Sequence, residues 1–516
     1  MEKITYASLG SLGEDFHQAY EEALHDGRKR LGRAHRLVIG GARKKTGATF
    51  LDTNPADTRQ VLGEFASAGR EETRLAIAAA RRALAGWREA GWPRRVAFLR
   101  RAAQLMEERQ FRLAALLTLE AGKNRFEAIA EVSESIDLIL YYCEQMELHQ
   151  GFVVPMGGTG AERTRSVLQP YGVWAVVAPF NFPLALAAGM AAGALLAGNT
   201  VVCKPASDTP LAGWLLQEIF QDCGMPAGVV NFLTGPGRAI GAELVANPDV
   251  AGFVFTGSRA VGRAIARRFS AARPRPCIAE MGGKNAAIVM PSARLEDAAE
   301  GVLRSVFGFG GQKCSACSRV YLHAAVAEPF LELLLAKTRQ LVIGDPAQRG
   351  TFLGPLINAA AVARYAAAVR LGRREGRVLH GGRRLQAEFP HGFFVEPCVI
   401  AGAPRGSKLF HEEFFAPVLA VAEVPSLDEA ITLANDSEYG LTAGIFTQEE
   451  REAEEFFARI EAGVAYSNRR GGATTGAWPG VQSFGGWKNS GSSGRNALGP
   501  YYVQQFMREQ SQTRMK

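Results

Sequence analysis

Apolar runs alternate along the chain with longer segments whose apolar residues recur at helical spacing. Extended runs occupy residues 173–179, 200–205, 229–233 and 252–257, and segments of helical pattern separate them. Short, almost continuously apolar strands that alternate with helices are typical of right-handed βαβ units in a parallel sheet covered on both faces. The pattern therefore predicts an α/β fold.

The uncharged stretch at residues 172–203 has the hydrophobicity of a membrane span. However, Pro179, Asn181, Pro183 and several glycines interrupt it at short intervals. We therefore expect a strand, a turn that contains Asn181, a buried helix rich in alanine and glycine, and a second strand. This stretch is predicted to be core, and no membrane association is expected.

The length of 516 residues, 47% of them hydrophobic, predicts two or three globular domains. The seven cysteines are an odd number without repeated spacing, which favours free thiols in a reducing compartment over a disulfide framework. The N-terminal residues contain no apolar run typical of a signal peptide, so we expect a cytoplasmic protein.

The net charge of +8 arises largely from arginines in segments of helical pattern. In residues 94–112, Val96, Leu99, Ala103 and Met106 are predicted to form a buried face, with the arginines on the solvated face. Basic and aromatic residues do not interleave in the way that nucleic-acid binding requires, so no nucleic-acid partner is expected. A mildly basic surface still favours anionic substrates.

Glycines and a serine stand where two of the predicted strands give way to helices. Gly237 and Gly241 follow one strand, and Gly257 and Ser258 follow the next. Free N–H groups at a helix N-terminus bind phosphate, and ligands of parallel sheets bind at the carboxyl ends of the strands. Together with Lys204 at the end of another strand, these turns predict a dinucleotide site. The glycine spacing differs from the G-x-G-x-x-G fingerprint, so we expect a variant binding mode.

Polar residues in apolar surroundings are candidates for catalysis. Cys314 lies in GFGGQKCSACSR, Glu280 in CIAEMGGKNAAIVM and Asn181 in APFNFPLAL. A thiol nucleophile, a carboxylate base and an amide donor make acyl-type chemistry possible. A helix-capping asparagine and an ion-paired or capping glutamate are the structural alternatives. Glu413, beside two phenylalanines, is either exposed or a ligand.

Seven motifs occur in the order and at the approximate spacing of the aldehyde dehydrogenase superfamily, which the chain resembles from about residue 35 to its C-terminus. The motifs are NFP, KPA, FTGS, EMGGKN, GQKCSACSR, EEFFAPV and SFGGWKNSG. The resemblance implies a Rossmann-type NAD(P)-binding domain (residues 1–149 and 171–278, with an N-terminal helical segment), an α/β catalytic domain (279–470) and a small β-flap oligomerisation domain (150–170 and 485–516). Because an exposed two-stranded ribbon is unstable alone, a homodimer or higher homo-oligomer is expected.

The resemblance also implies a role for each candidate. Cys314 would add to the carbonyl of a small-molecule aldehyde, Asn181 with the Cys314 N–H would form the oxyanion hole, and Glu280 would activate the water that hydrolyses the thioester. The expected cofactor is NAD, and NADP is possible because Ser207 stands where NAD-preferring relatives often have a glutamate. The other implied cofactor contacts are Lys204, Gly237, Gly241, Gly257, Ser258, Glu413 and Phe415.

The motifs GFGGQKCSACSR and EMGGKNA look most like those of the L-glutamate γ-semialdehyde (Δ1-pyrroline-5-carboxylate) dehydrogenase branch, which forms L-glutamate in proline catabolism. The implied substrate contacts are Ser315, Gly476 and Ala477 at the α-carboxylate, Phe182 and Phe484 as aromatic walls, and Glu134 at the α-ammonium. Glu131 competes with Glu134 for the last role.

The chain departs from this branch in the loop after Asn468, which is longer and carries Trp478 and Pro479 in place of smaller aliphatic residues. A bulkier loop would change the shape of the substrate site, so a dehydrogenase of another semialdehyde or of an aliphatic aldehyde is the alternative function.

Cys317, three residues after the nucleophile, is interpreted as a small packing residue placed one helical turn beyond it. A zinc site is not expected because His323, the nearest histidine, is isolated. A catalytically silent redox sensor that switches through Cys314 and Cys317 is a more distant alternative.

Overall fold

The computed structural model describes residues 5–6, 12–158, 160–472 and 476–515. Its helices are α1 (Glu14–Arg28), α2 (Arg70–Glu89), α3 (Gly91–Glu108), α4 (Gln110–Ala121), α5 (Arg125–Leu148), α6 (Ala185–Leu196), α7 (Pro210–Asp222), α8 (Gly237–Ala246), α9 (Arg259–Phe269), α10 (Leu295–Phe307), α11 (Ala327–Arg339), α12 (Ala359–Glu375), α13 (Lys408–His411), α14 (Leu427–Asn435) and α15 (Glu450–Arg459). Its strands are β1 (Arg33–His35), β2 (Leu37–Ile39), β3 (Ala42–Lys44), β4 (Thr49–Asn54), β5 (Asp57–Ala66), β6 (Val153–Pro155), β7 (Glu162–Pro170), β8 (Val173–Val177), β9 (Thr200–Lys204), β10 (Val230–Phe232), β11 (Val250–Gly257), β12 (Cys277–Met281), β13 (Asn285–Val289), β14 (Cys317–His323), β15 (Arg377–His380), β16 (Cys398–Ala401), β17 (Val418–Val424), β18 (Tyr439–Gly440), β19 (Thr442–Phe446), β20 (Val464–Ser467), β21 (Trp487–Lys488) and β22 (Met507–Met515).

The first large sheet has seven strands in the order β12-β11-β8-β9-β10-β2-β3, and its strands from β12 to β10 are parallel. It contains all four strands expected from the apolar runs, so that prediction is confirmed. The uncharged stretch 172–203 forms β8, α6 and β9, and every residue of α6 except Leu186 is buried. A helix that is apolar on all sides belongs in the core, which explains its resemblance to a membrane span.

The second large sheet also has seven strands, in the order β15-β16-β17-β14-β13-β19-β20, and only β15 runs antiparallel to its neighbour. Its central strand β13 is buried at all five positions. One face packs against α12 and α14, and the other packs against α10 and α11. Both large sheets are thus covered by helices on two faces, as an α/β fold requires.

The third sheet is an antiparallel ribbon in the order β22-β7-β6, in which Met507–Met515 pairs along the whole of Glu162–Pro170. Residues Val503–Phe506 form a 3-10 turn, and the C-terminal strand of the ribbon begins only at Met507. The reason is burial, because Phe506 packs against Trp174 of the first large sheet with ring centroids 4.6 Å apart and anchors the chain before the ribbon starts.

One arginine of the segment 94–112 departs from the predicted solvated face. Arg95 is buried on α3 and its Nε donates to the carbonyl oxygen of Leu196, the last residue of α6, at 2.9 Å. The carbonyl groups at a helix C-terminus have no partner within the helix, so a buried guanidinium that satisfies one of them is stable there. The predicted apolar face, which includes Val96 and Leu99, is buried as expected.

Candidate active site

A cavity of about 90 Å³ brings together most of the residues predicted to act on the substrate. Both Cys314 and Glu280 line it. The predicted substrate contacts that line it are Phe182, Glu134, Ser315, Gly476, Ala477 and Phe484. Asn181, which precedes Phe182, is buried in the turn between β8 and α6 but is not one of the lining residues.

Cys314 lies in a turn between a 3-10 turn at Gly308–Gly311 and strand β14. The side-chain amide of Asn285 fixes this turn, because its Nδ2 donates to the carbonyl oxygen of Cys314 at 2.7 Å and to that of Ala316 at 2.9 Å. Asn285 is itself the first residue of the buried strand β13. The nucleophile candidate is therefore held by a rigid element of the second large sheet.

Cys317 does not lie one helical turn after Cys314, as the three-residue spacing predicted. It is the first residue of β14 and pairs with Asn285 of β13, because the chain enters the parallel sheet directly after the turn. Its thiol is buried and donates to the carbonyl oxygen of Arg319 at 3.2 Å. Both cysteines are free thiols, and the buried strand position of Cys317 supports its interpretation as a packing residue.

The environment of the Cys314 thiol favours its neutral form. Burial raises its pKa to about 12, and the carboxyl groups of Glu413 and Glu280 act in the same direction. A thiolate is the reactive form of cysteine, so in this conformation Cys314 has to lose its proton as it attacks a carbonyl carbon. That proton passes to water or to a neighbouring base.

Glu280 lies within strand β12 and is paired with Thr256 of β11. Its Oε2 is buried and has no hydrogen-bond partner among the described residues. Burial raises the pKa of its carboxyl group to about 8, while the backbone N–H of Gly486 opposes this shift. A carboxyl group that titrates near neutral pH is suited to general-base catalysis.

Glu413 does not line the cavity, but it is half-buried and not a fully exposed carboxylate. Its Oε1 accepts a hydrogen bond from the Gly283 N–H at 2.9 Å. Burial raises the pKa of its carboxyl group to about 7, which the Gly283 N–H and the Lys284 ammonium oppose. Phe415, two residues later, lies with its ring edge-on to Phe180 at 5.7 Å between centroids.

The predicted dinucleotide residues share one edge of the first large sheet. Lys204 ends β9, Gly237 opens α8 after β10, and Gly257 and Ser258 join β11 to α9. Neither Pro236 nor Ser258, the N-cap residues of α8 and α9, caps its helix through its side chain. The N–H groups of both first turns are thus directed to this edge as donors for an anion.

Two side chains at this edge are held by backbone oxygens. The Lys204 Nζ donates to the carbonyl oxygen of Pro205 at 2.8 Å, and burial lowers the pKa of its ammonium group to about 8. The Ser207 Oγ donates to the carbonyl oxygen of Gly235 at 3.2 Å. A Cβ at Gly237 would lie 3.9 Å from Lys204 Cε, so the glycine leaves room beside the lysine, while nothing lies within 4 Å of a Cβ at Gly241. This donor set fits a pyrophosphate and its ribose.

The two competing glutamates of α5 have different surroundings. Glu131 forms a buried ion pair with Lys123 at 2.5 Å, and its Oε1 accepts hydrogen bonds from the backbone N–H groups of Leu184 and Ala185. Glu134, one helical turn later, lines the cavity. The geometry therefore favours Glu134 as the carboxylate that faces a substrate.

Several lining residues were not predicted from the sequence, among them Tyr6 and Lys313. Lys313 directly precedes the nucleophile candidate and its Nζ donates to Glu127 Oε1 at 2.7 Å, so its adjacency to Cys314 was the available signal. Tyr6 had no such signal because it is far from every motif. Residues 473–475 of the loop that departs from the branch pattern lie outside the described residues.

The profile of the aldehyde dehydrogenase family matches residues 42–512. The chain therefore belongs to the aldehyde dehydrogenase family and has its α/β fold. It is 37% identical over 492 residues to the 1-pyrroline-5-carboxylate dehydrogenase of Geobacillus sp. (strain WCH70), with 94% of each chain covered.

Solved structures agree with this relationship. The structure of 1-pyrroline-5-carboxylate dehydrogenase from Thermus with bound NAD superposes with a TM-score of 0.94 at 36% identity, over 98% of this chain and 97% of that chain. A variant of the Thermus thermophilus enzyme also gives a TM-score of 0.94, at 37% identity and the same coverage.

None of the described helices is both long and apolar enough to cross a membrane. Within the same residues, no group of three or more histidine, cysteine, aspartate or glutamate side chains is arranged to hold a metal ion.

Proposed function

We propose that the protein oxidises L-glutamate γ-semialdehyde to L-glutamate with NAD, as the relatives named 1-pyrroline-5-carboxylate dehydrogenase suggest. The observation that carries the proposal is that one cavity holds Cys314 and Glu280 together with polar groups suited to an α-amino acid. These polar groups are the Ser315 hydroxyl and the Glu134 carboxylate.

The chemistry begins when the Cys314 thiol gives its proton to water and its Sγ adds to the aldehyde carbon, which places negative charge on the carbonyl oxygen. Asn181 and the Cys314 N–H would stabilise this charge, each by about 3 kcal/mol in a site that excludes water. When bound, NAD supplies the acceptor for the hydride that leaves the same carbon. Glu280, as a carboxylate, then takes a proton from the water that hydrolyses the thioester on Cys314.

The groups proposed to hold NAD are those of the sheet edge described above. The first-turn N–H groups of α8, which starts at Gly237, and of α9, which Ser258 precedes, would bind the pyrophosphate. Gly257 would allow the turn, Gly241 would leave space beside the cofactor, and Lys204 would bind the adenosine ribose. Glu413 and Phe415 would contact the nicotinamide ribose and ring. Ser207 carries no charge that would repel a 2′-phosphate, so the use of NADP stays open.

The substrate is proposed to lie with its aldehyde at Cys314 and its amino-acid end towards α5. Ser315, which follows the nucleophile and is buried, would donate to the α-carboxylate together with the backbone N–H groups of Gly476 and Ala477. Glu134 would bind the α-ammonium, and Phe182 and Phe484 would flank the carbon chain.

We also propose that the three main sheets mark three domains. The NAD(P)-binding domain would comprise residues 1–149 and 171–278, the catalytic domain 279–470, and the oligomerisation flap 150–170 and 485–516. The ribbon exposes apolar side chains at Val153, Val154, Met156 and Met515. Exposed apolar groups on a strand ribbon favour pairing with a second copy, which supports a homodimer or a multiple of it. The seven free cysteines support the cytoplasm as its compartment.

The proposed function is tested by the initial rates of NAD and NADP reduction with L-glutamate γ-semialdehyde, succinic semialdehyde and a plain aliphatic aldehyde. The Cys314→Ala variant is the blank. We expect a cysteine-dependent rate that is far higher with glutamate semialdehyde. Equal or higher rates with the other aldehydes would overturn the substrate assignment, and the loop around Trp478 would then be the first place to look for the cause.

A further inference from the structure

Tyr6 reaches the substrate end of the cavity from the N-terminal part of the chain. It lines the cavity, and its hydroxyl donates to Glu134 Oε2 at 2.8 Å across a sequence separation of 128 residues. Its ring lies edge-on to Phe182 at 5.7 Å between centroids. Tyr6 thus contacts the two residues to which the proposed function assigns the α-ammonium and one aromatic wall.

Tyr6 also contacts the loop that departs from the branch pattern. Its ring lies 5.8 Å from that of Trp478, whose indole Nε1 donates to Asp137 Oδ2 at 2.5 Å. Asp137 follows Glu134 by three residues on α5, so both lie on the same face of the helix. The two neighbouring carboxylates of α5 therefore hold the Tyr6 and Trp478 side chains against each other on one side of the cavity.

Cationic groups complete the surroundings of Glu134. The Lys313 ammonium lies 5.5 Å from the Tyr6 ring centroid, and the Lys123 ammonium lies 3.7 Å from the Phe182 centroid. Burial raises the pKa of Glu134 to about 7, while the Tyr6 hydroxyl and both lysines favour its ionised form and Glu131 opposes it. Near neutral pH the charge on Glu134 is therefore sensitive to the loss of a single donor.

We propose that Tyr6 is a positioning residue that makes the enzyme selective for aldehydes whose other end is an α-amino acid, with the amino group next to the carboxylate. Its hydroxyl occupies Oε2 of Glu134, favours the ionised carboxylate, and leaves Oε1 as the acceptor for a substrate ammonium. This role rests on the proposed function, because it requires a substrate whose amino group reaches Glu134.

The test compares Tyr6→Phe with the wild type on two substrates of equal chain length. L-Glutamate γ-semialdehyde carries the α-amino group, and 5-oxopentanoate has the same carbon chain and carboxylate without it. We expect kcat/KM for glutamate semialdehyde to fall about tenfold through KM, since a hydrogen bond to a charged group is lost, with kcat and the 5-oxopentanoate rates close to wild type. KM for glutamate semialdehyde should rise as the pH is lowered, and in Tyr6→Phe this rise should begin at a higher pH than in the wild type, because Glu134 has lost a donor that favours its ionised form. Tyr501→Phe, an exposed tyrosine outside the cavity, is the matched control.

A double-mutant cycle separates positioning from packing. In Glu134→Gln, where no carboxylate remains to be held, Tyr6→Phe should cause no further loss with glutamate semialdehyde. An equal loss on both substrates, additive effects in the cycle, or unchanged kinetics in Tyr6→Phe would each overturn the role of Tyr6. A wild-type enzyme that uses 5-oxopentanoate as well as glutamate semialdehyde would overturn the proposed function itself, and the role of Tyr6 with it.

Discussion

The Glu413 carboxyl group fills the space where a side chain at Gly282 would stand. A Cβ built on Gly282 would overlap with both carboxylate oxygens, and Glu413 Oε1 accepts the N–H of the next residue, Gly283. Gly282 follows Glu280 by two residues, so this contact joins the proposed base to a proposed cofactor ligand. A glycine is needed at position 282 because any side chain there would displace the Glu413 carboxyl group.

Gly282→Ala should therefore displace Glu413 and impair the reaction without unfolding the protein. A displacement of catalytic or cofactor groups by about 1 Å can lower a rate by about a hundredfold, and we expect a loss of that order in kcat/KM for NAD. Steady-state kinetics with thermal unfolding measure the two effects separately. Gly86→Ala on α2, where nothing lies within 4 Å of the added Cβ, should leave the kinetics unchanged, and a similar loss there would contradict the argument.

The two cysteines of the motif should respond differently to substitution. Cys314→Ala should abolish aldehyde oxidation because it removes the nucleophile. Cys317→Ala removes a buried thiol in β14 and should cost about 1 kcal/mol of unfolding free energy with activity retained. Activity assays and thermal denaturation of both variants check this, and loss of activity in Cys317→Ala would favour a redox role for the pair.

The ionisation of Glu280 should determine how the rate of thioester hydrolysis increases with pH. Its raised pKa of about 8 means that the carboxyl group is largely protonated at neutral pH and becomes the carboxylate base as the pH rises through 8. We expect the rate of thioester hydrolysis to increase across that range. Single-turnover and steady-state rates between pH 6 and about 9 measure it, and a flat hydrolysis rate would be inconsistent with Glu280 as the base.

The residue at position 207 should influence the choice between NAD and NADP. Ser207→Glu introduces a carboxylate at the sheet edge beside Lys204, where it would repel a 2′-phosphate. We expect kcat/KM for NADP to fall by about tenfold or more while that for NAD changes little. Equal effects on the two cofactors would show that residue 207 does not face the ribose.

Asp52 and Glu120 form a buried carboxyl pair that does not line the catalytic cavity. Burial raises the pKa of Asp52 to about 8, and Glu120 accepts the backbone N–H groups of Leu211 and Ala212 at the start of α7. Because the pKa of Asp52 is raised in the folded state, its contribution to stability is fully present below its unfolded pKa near 4 and is lost as the pH rises through about 8.

Asp52→Asn, which cannot ionise, should therefore make stability less dependent on pH. The unfolding temperature of the wild type should be lower at about pH 8 than at about pH 5, and this difference should be smaller for the variant. Asp57→Asn is the control, because Asp57 is partly exposed, paired with Arg59, and of lowered pKa. A wild type that is equally stable at both pH values would contradict the assignment.

The sequence predicted those features that depend on local pattern. Continuous apolar runs identified β8 to β11, because strands of this kind are specified by neighbouring residues. Ordered motifs named Cys314 and Glu280 as candidates, and the fold brings both to one cavity. Cys317 was misplaced because the glycine-rich turn before it gives no periodicity, and the parallel pairing with Asn285 that extends the chain there is a long-range contact.

Tyr6 marks the limit of local patterns more clearly. Its contacts join the N-terminal part of the chain to α5 and to Trp478, more than 470 residues away in sequence. Likewise, the choice between Glu131 and Glu134 depended on Lys123 and on the N–H groups at the start of α6, which only the tertiary fold brings together.

The central claim is that Cys314 carries a glutamyl thioester that Glu280 releases. The most direct test is mass spectrometry of the Cys314 peptide after Glu280→Gln enzyme is mixed with NAD and L-glutamate γ-semialdehyde. We predict a glutamyl adduct on Cys314 and the formation of about one NADH per active site. Neither should form in the Cys314→Ala variant. An unmodified Cys314 together with undiminished steady turnover in Glu280→Gln would contradict the claim.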